Sequence, residues 1–157
     1  GATNAPHTSV PGNLAEIALV AEGTSTLNYY AIDNAGNEEA INHVQVNIDK
    51  SPPTVSMSAS PDVLWPPNGK MLPVTINGSA LDGISGISSI TFKLVDEYGK
   101  VQPTIGSFGS IIQLEASRDG TDQDGRCYTI TVIAKDKAGN EKRVLSAVIV
   151  PHDRRGN

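Results

Sequence analysis

Apolar and polar residues alternate with a period of two along most of this chain, the signature of strands with one buried face. The clearest run is Cys127 to Lys135, with Tyr128, Ile130, Val132 and Ala134 on one side. Cys127, Thr129, Thr131, Ile133 and Lys135 lie on the other. Ser88 to Asp96 repeats the pattern with Ile90, Phe92 and Leu94, and Met71 to Leu81 with Leu72, Val74, Ile76 and Gly78. Pro73 puts the start of that run at an edge or a bulge, because proline cannot donate to a ladder. Thr54 to Ala59, Gly109 to Ala116 and Arg143 to Val150 read as further strands, and Val101 to Thr104 as a weak one. Nearer the N-terminus, Leu14 to Val20, Thr26 to Asp33 and Ala40 to Ile48 predict three more. No window carries a sustained helical period.

Turn signals separate these runs at spacings of roughly ten residues, which indicates an all-β sandwich. The most conspicuous turn is Asp136-Lys137-Ala138-Gly139-Asn140-Glu141, and Asp33-Asn34-Ala35-Gly36-Asn37-Glu38 is a copy of it 103 residues earlier. Aligning the two places Leu27, Tyr29 and Ala31 over Ile130, Val132 and Ala134. Residues 1–50 therefore read as a second copy of the last part of residues 54–150. Residues 51–53, with Pro52 and Pro53, read as a short stiff linker, and residues 151–157 as a tail. The expected architecture is an immunoglobulin-like β-sandwich of about seven strands over residues 54–150. It is preceded by a partial copy of three strands. A 50-residue fragment lies near the lower size limit for independent folding, about 40 residues. It is expected to dock, to stay disordered, or to be completed by another chain as a homodimer.

Composition narrows the functional classes. Charged residues make up 18% of the chain and the formal net charge is −5, with no basic face of the kind a nucleic-acid binder needs. No apolar run is long enough to span a membrane as a helix. Cys127 is the single cysteine, so no intrachain disulfide can form. His7, His43 and His152 show no ligand-like spacing, and no nucleophile motif or phosphate loop is present. The chain reads as non-enzymatic, with no required cofactor.

Two stretches carry candidate chemistry. Asp119, Asp122 and Asp124 fall within six residues before Gly125, a density of carboxylates read first as a solvated acidic turn, with calcium binding as the alternative. In the repeated turn, Asp33, Gly36 and Asn37, and likewise Asp136, Gly139 and Asn140, are the residues that close a tight bend. Trp65, in Leu64-Trp65-Pro66-Pro67, is read as a plug in the end of the core, with a sugar-stacking platform as the alternative. Tyr128, two residues before the inward Ile130, is read as a core tyrosine whose hydroxyl bonds to nearby backbone.

The phrase Tyr128 to Asn140, the Leu64 to Met71 phrase and the Glu22-Gly23-Thr24…Asn37 half-repeat resemble bacterial immunoglobulin-like repeats of exported, multi-domain proteins. The resemblance covers nearly the whole chain. It implies an extracellular or cell-surface spacer module whose partners are neighbouring domains of the same polypeptide. The alternatives it leaves open are a module binding carbohydrate or an adhesion protein, calcium-stabilised or not, and an accessory domain of a secreted hydrolase.

Overall fold

In a computed structural model that describes residues 8–153, the chain is all-β. Eight strands follow in order: β1 (Gly23–Tyr29), β2 (Asn42–Ile48), β3 (Thr54–Ser60), β4 (Met71–Leu81), β5 (Ile87–Asp96), β6 (Ile111–Glu115), β7 (Arg126–Asp136) and β8 (Glu141–Val150). Contacts divide the chain into two units, Gly1–Lys50 and Ser51–Asn157.

The second unit is an immunoglobulin-like sandwich. One sheet has the order β3-β4-β6 and the other β5-β7-β8, every neighbouring pair antiparallel. Their inner faces meet in one core. Val74, Ile76, Ile112 and Leu114 from the first sheet pack with Tyr128, Ile130, Val148 and Val150 from the second. β7 is central, and its alternate residues from Arg126 to Asp136 are all buried, as period-two alternation requires. Pro73 sits where β4 is paired on the β6 side alone, since the ladder with β3 starts at Thr75. The missing proline donor thus meets only one neighbouring strand.

This unit has six strands. Val101 to Thr104 forms no ladder, and Val101 is fully exposed. Pro103 lacks an amide donor. Side-chain bonds from Lys100 to Glu115 and from Gln102 to Asp96 hold the segment against the sandwich as a loop. Pro53 is fully buried. One side of the sandwich is closed by Phe108, which stacks edge-on against Phe92 at 5.1 Å between ring centres. Phe108 lies over Gly78, where a Cβ would fall 2.6 Å from its ring and 2.2 Å from the Ser56 carbonyl oxygen. That glycine is required by close approach.

The first unit is a β1–β2 hairpin, not three strands. Leu14 to Val20 is unpaired, with Leu14 and Val20 more than 70% exposed. The second unit supplies a physical reason. In the 103-residue register set by the repeated turns, Leu14 to Val20 aligns with Ser117 to Gln123, which is loop and not strand in the second unit. A strand without its ladder partner stays irregular. The hairpin itself is amphipathic. Leu27, Tyr29, Val44, Val46 and Ile48 share one face, and Thr24, Thr26, Asn28, His43, Gln45 and Asn47 the other. A one-residue shift secures this. Ile32 faces Glu38 but Tyr29 faces Asn42, so one extra residue lies on the returning arm. Without it, Ile41, His43 and Gln45 would have joined Leu27 on the apolar face.

Candidate functional site

The two copies of the Asp-x-Ala-Gly-Asn turn have the same internal bonding. The Asp136 amide donates to the Asn140 carbonyl (3.1 Å) and the Asn140 amide donates to Asp136 Oδ1 (2.8 Å). Asn140 Nδ2 donates to Asp136 Oδ2 (2.8 Å). In the earlier copy the matching bonds are Asp33 amide to Asn37 carbonyl (3.0 Å), Asn37 amide to Asp33 Oδ1 (2.9 Å) and Asn37 Nδ2 to Asp33 Oδ2 (2.7 Å). Both carboxylate oxygens of each Asp are thus occupied by the turn's own donors. Gly36 and Gly139 supply the left-handed residue, with φ of 87° and 97°, and neither Asn has a positive φ. The Asn37 side chain, followed by backbone amides, holds the Asp33 carboxyl below the ordinary carboxylate range. The copies differ in setting: Asp136 is buried, whereas Asp33 is exposed. Around Asp136 the Lys137 amide donates to the Gly86 carbonyl, and the Ser88 hydroxyl reaches the Lys135 and Asp136 carbonyls. The turn thereby ties β7 to the start of β5.

At the other end of β7 lies a cluster that the sequence reading missed. Arg126 is 1% exposed. Its Nε and Nη2 donate to the two oxygens of buried Asp96, at 2.9 and 2.7 Å, in a bidentate fork. Nη1 donates to Glu115 Oε2 (3.0 Å), to the Ser117 carbonyl (3.1 Å) and to Ser117 Oγ (3.0 Å). The guanidinium is flanked by the rings of Tyr128 at 4.6 Å and Tyr98 at 5.0 Å. Burial pushes the Asp96 carboxyl up, but the Arg126 bonds and charge and the Tyr98 amide outweigh it, and the group lies below its ordinary value. The Arg126 and Lys100 bonds likewise lower Glu115. The same bonds raise Arg126, so it is charged at any working pH. Burial pushes the Tyr128 hydroxyl up to about 12.

Tyr128 is a core residue, and its hydroxyl donates to the Glu115 carbonyl at 2.8 Å. That carbonyl is on β6, so the bond crosses between sheets rather than closing within a few residues of Tyr128. A cavity of about 130 Å³ beside the cluster is lined by Met71, Gln102, Gln113, Glu115, Arg126 and Tyr128, among others. Its charged groups are already paired with one another. The expected signal for the cluster was present in the alternation: Arg126 is two before Tyr128, and Asp96 two after Leu94.

The acidic loop does not gather its carboxylates. Asp119 Oδ1 accepts from the Thr121 amide (2.9 Å) and hydroxyl (2.7 Å). Asp122 Oδ1 accepts from the Gly125 amide (2.9 Å), and Asp122 Oδ2 from the Tyr98 hydroxyl. These donors lower both groups, Asp119 chiefly through Thr121 and Asp122 chiefly through Tyr98. Asp119, Asp122 and Asp124 do not bring their oxygens together as a three-ligand cluster; Asp119 is turned to Thr121, and Asp122 to Gly125 and Tyr98. Neither His43, His152 nor Cys127 belongs to such a cluster. His7 lies outside the described residues, as do residues 1–7 of the predicted N-terminal loop and 154–157 of the tail.

Trp65 is not the core plug. Leu64, at 0% exposure, fills that place, held by its amide to the Ile149 carbonyl (2.8 Å) while Trp65 stands 37% exposed. Alternation decides it, since adjacent residues of an extended segment point opposite ways. The larger ring was the more obvious candidate, and the smaller side chain is the one that faces inward.

No known protein-family profile matches the chain, and no curated protein does so significantly. Among solved structures the chain is similar to the fibronectin(III)-like modules of CbhA from Clostridium thermocellum. The identity is 23% and the TM-score 0.37, over 90% of this chain and 69% of that one.

Proposed function

We propose that the chain is a non-catalytic structural module of a larger exported or cell-surface protein, of the bacterial immunoglobulin-like repeat kind. The observation that carries this reading is the use of the polar side chains. Asp96, Arg126 and Asp136, the buried charged groups among the described residues, each close the sandwich by bonding its own strands and turns. Arg126 lines the small cavity but spends its donors on Asp96, Glu115 and Ser117, and the Asp136 carboxylate accepts from the Asn140 amide and side chain. Neighbouring domains of the same polypeptide are the partners this reading implies.

A second reading is supported by Trp65, whose partly exposed ring could stack on a sugar or a protein partner. Calcium-dependent binding gains nothing from the acidic loop. Because Trp65 is the single tryptophan, its fluorescence reports on this question without interference. Titration with a panel of plant and bacterial-wall oligosaccharides should leave the emission unchanged. A saturable shift that is lost in Trp65→Ala would replace the structural reading with the binding one.

A further inference from the structure

The sheets of the second unit end in four edge strands, and three of these are occupied or guarded. β8 is met at Ile149 by Val63 and carries Glu141, Lys142 and Arg143 at its start. β6 is five residues long and ends on Glu115, which Lys100 holds. β3 packs against β8, its Ala59 amide donating to the Ser146 hydroxyl at 3.3 Å. β5 has β7 as its single ladder neighbour, so its other edge is open. Open edges are usually blunted by charge, proline, a bulge or short length. In β5 the irregularity lies at the very start, between Ile87 and Ser89. From Ser89 to Val95 the strand is regular, has no proline and carries Lys93 as its one charge.

A groove of about 460 Å³ runs beside this edge. Ser89, Ile90 and Phe92 of β5 line it, with Gly106, Ser107 and Phe108 of the loop before β6, and no charged residue does. The inward residues of β5 are half-buried at Ile90, Phe92 and Leu94, whereas their partners Ala134, Val132 and Ile130 on β7 are fully buried. The apolar face of the sheet therefore continues into the groove.

We propose that the β5 edge is a strand-addition site for an extended peptide segment whose alternate residues are apolar and which carries a carboxylate opposite Lys93. The backbone favours a strand over a compact ligand. Alternate residues of Ser89 to Val95 turn their amides and carbonyls to the open side, at the spacing of a ladder. Side-chain preference follows from the pleat. A strand laid there sends every second residue inward beside Ile90 and Phe92, into the uncharged groove, so those residues are apolar. The residues between them point outward beside Thr91 and Lys93. Among the described residues Lys93 is in no ion pair, and an acidic cross-strand neighbour is favourable to it. The proposal rests on the fold of the second unit and not on the spacer reading, so either can fail alone.

The probe is the acetylated and amidated peptide Glu-Val-Thr-Val-Thr-Val, titrated into the isotopically labelled full chain and followed by amide NMR. Saturable shifts confined to Ser89 to Leu94 and to Ser107 and Phe108 are expected, with a dissociation constant of about 100 μM for so small a contact. Methylating the peptide's backbone nitrogens removes its donors and keeps its side chains, and should weaken binding at least tenfold. Gly106→Phe should do the same with melting unchanged, because the Cβ position there is open space and the ring fills the groove. Lys93→Glu should weaken the probe severalfold and favour Lys-Val-Thr-Val-Thr-Val instead. No shift up to about 1 mM peptide sinks the proposal. So does equal binding of the methylated peptide, which would make the groove a pocket for small apolar ligands, or shifts that map to β3 or Trp65. If Gly106→Phe does not fold, the charge exchange at Lys93 decides alone: equal binding of both peptides by both chains overturns the pairing.

Discussion

Arg126 is the residue on which the second unit's polar accounting turns. A buried guanidinium is tolerable only while its donors are met, and Asp96 meets two of them. Asp96→Ala should therefore lower unfolding free energy by about 3–5 kcal/mol in urea titrations, the cost of leaving a buried charge unpaired. A change below about 1 kcal/mol would show that water repairs the site. The direction with pH follows from the same group. Asp96 and Glu115 titrate lower in the folded chain than in the unfolded one, so the folded state binds fewer protons in acid. Their stabilisation is complete above the unfolded values of about 4 and is lost as pH falls through the folded ones. Tyr128 works at the other extreme. Its folded value of about 12 exceeds the ordinary 10, so its contribution is complete below pH 10 and lost as pH rises toward 12. Tyr128→Phe should cost about 1 kcal/mol at neutral pH, through the lost bond to Glu115. It should also flatten the alkaline decline in melting temperature. An unaltered alkaline limb would mean that another group governs it.

At the scale of elements, the repeated turn shows how one sequence can be load-sharing in one place and local in another. Gly139 has φ of 97°, and its Cβ position is open space, so the cost of a side chain there is conformational alone. Gly139→Val should destabilise the second unit by about 1–2 kcal/mol, read as a lower urea midpoint. Gly36→Val has the same strain, yet should leave that midpoint where it is, since Gly36 belongs to the other unit. Equal shifts would refute the separation. Strand identity was legible from period two alone, as the inward set of β7 shows. Strand number was not. Leu14 to Val20 has the right alternation but no ladder partner, and pairing is a property of two segments, not one. The shift that phases β2 was also invisible, because nothing in Ala40 or Ile41 announces an extra residue. Leu64 outranked Trp65 for a reason of direction, which composition does not record.

For the whole molecule, the two units predict independent behaviour. Residues 51–153 expressed alone should melt cooperatively at the temperature of the second unit in the full chain, followed by circular dichroism. Loss of cooperativity would mean the sandwich depends on the first unit. Limited proteolysis should cut first between residues 8 and 22, where no ladder protects the backbone. The crossing segment near Leu64 has a further consequence for the second unit. Val63 pairs parallel with Ile149, through the Leu64 amide to the Ile149 carbonyl and the Ile149 amide to the Asp62 carbonyl, each 2.8 Å. Tension applied at the unit's two ends pulls these parallel segments in opposite directions along their length. The bonds then bear load together, in shear, instead of peeling open one after another. A few hydrogen bonds beside a buried leucine thus give the sandwich a grip against stretching.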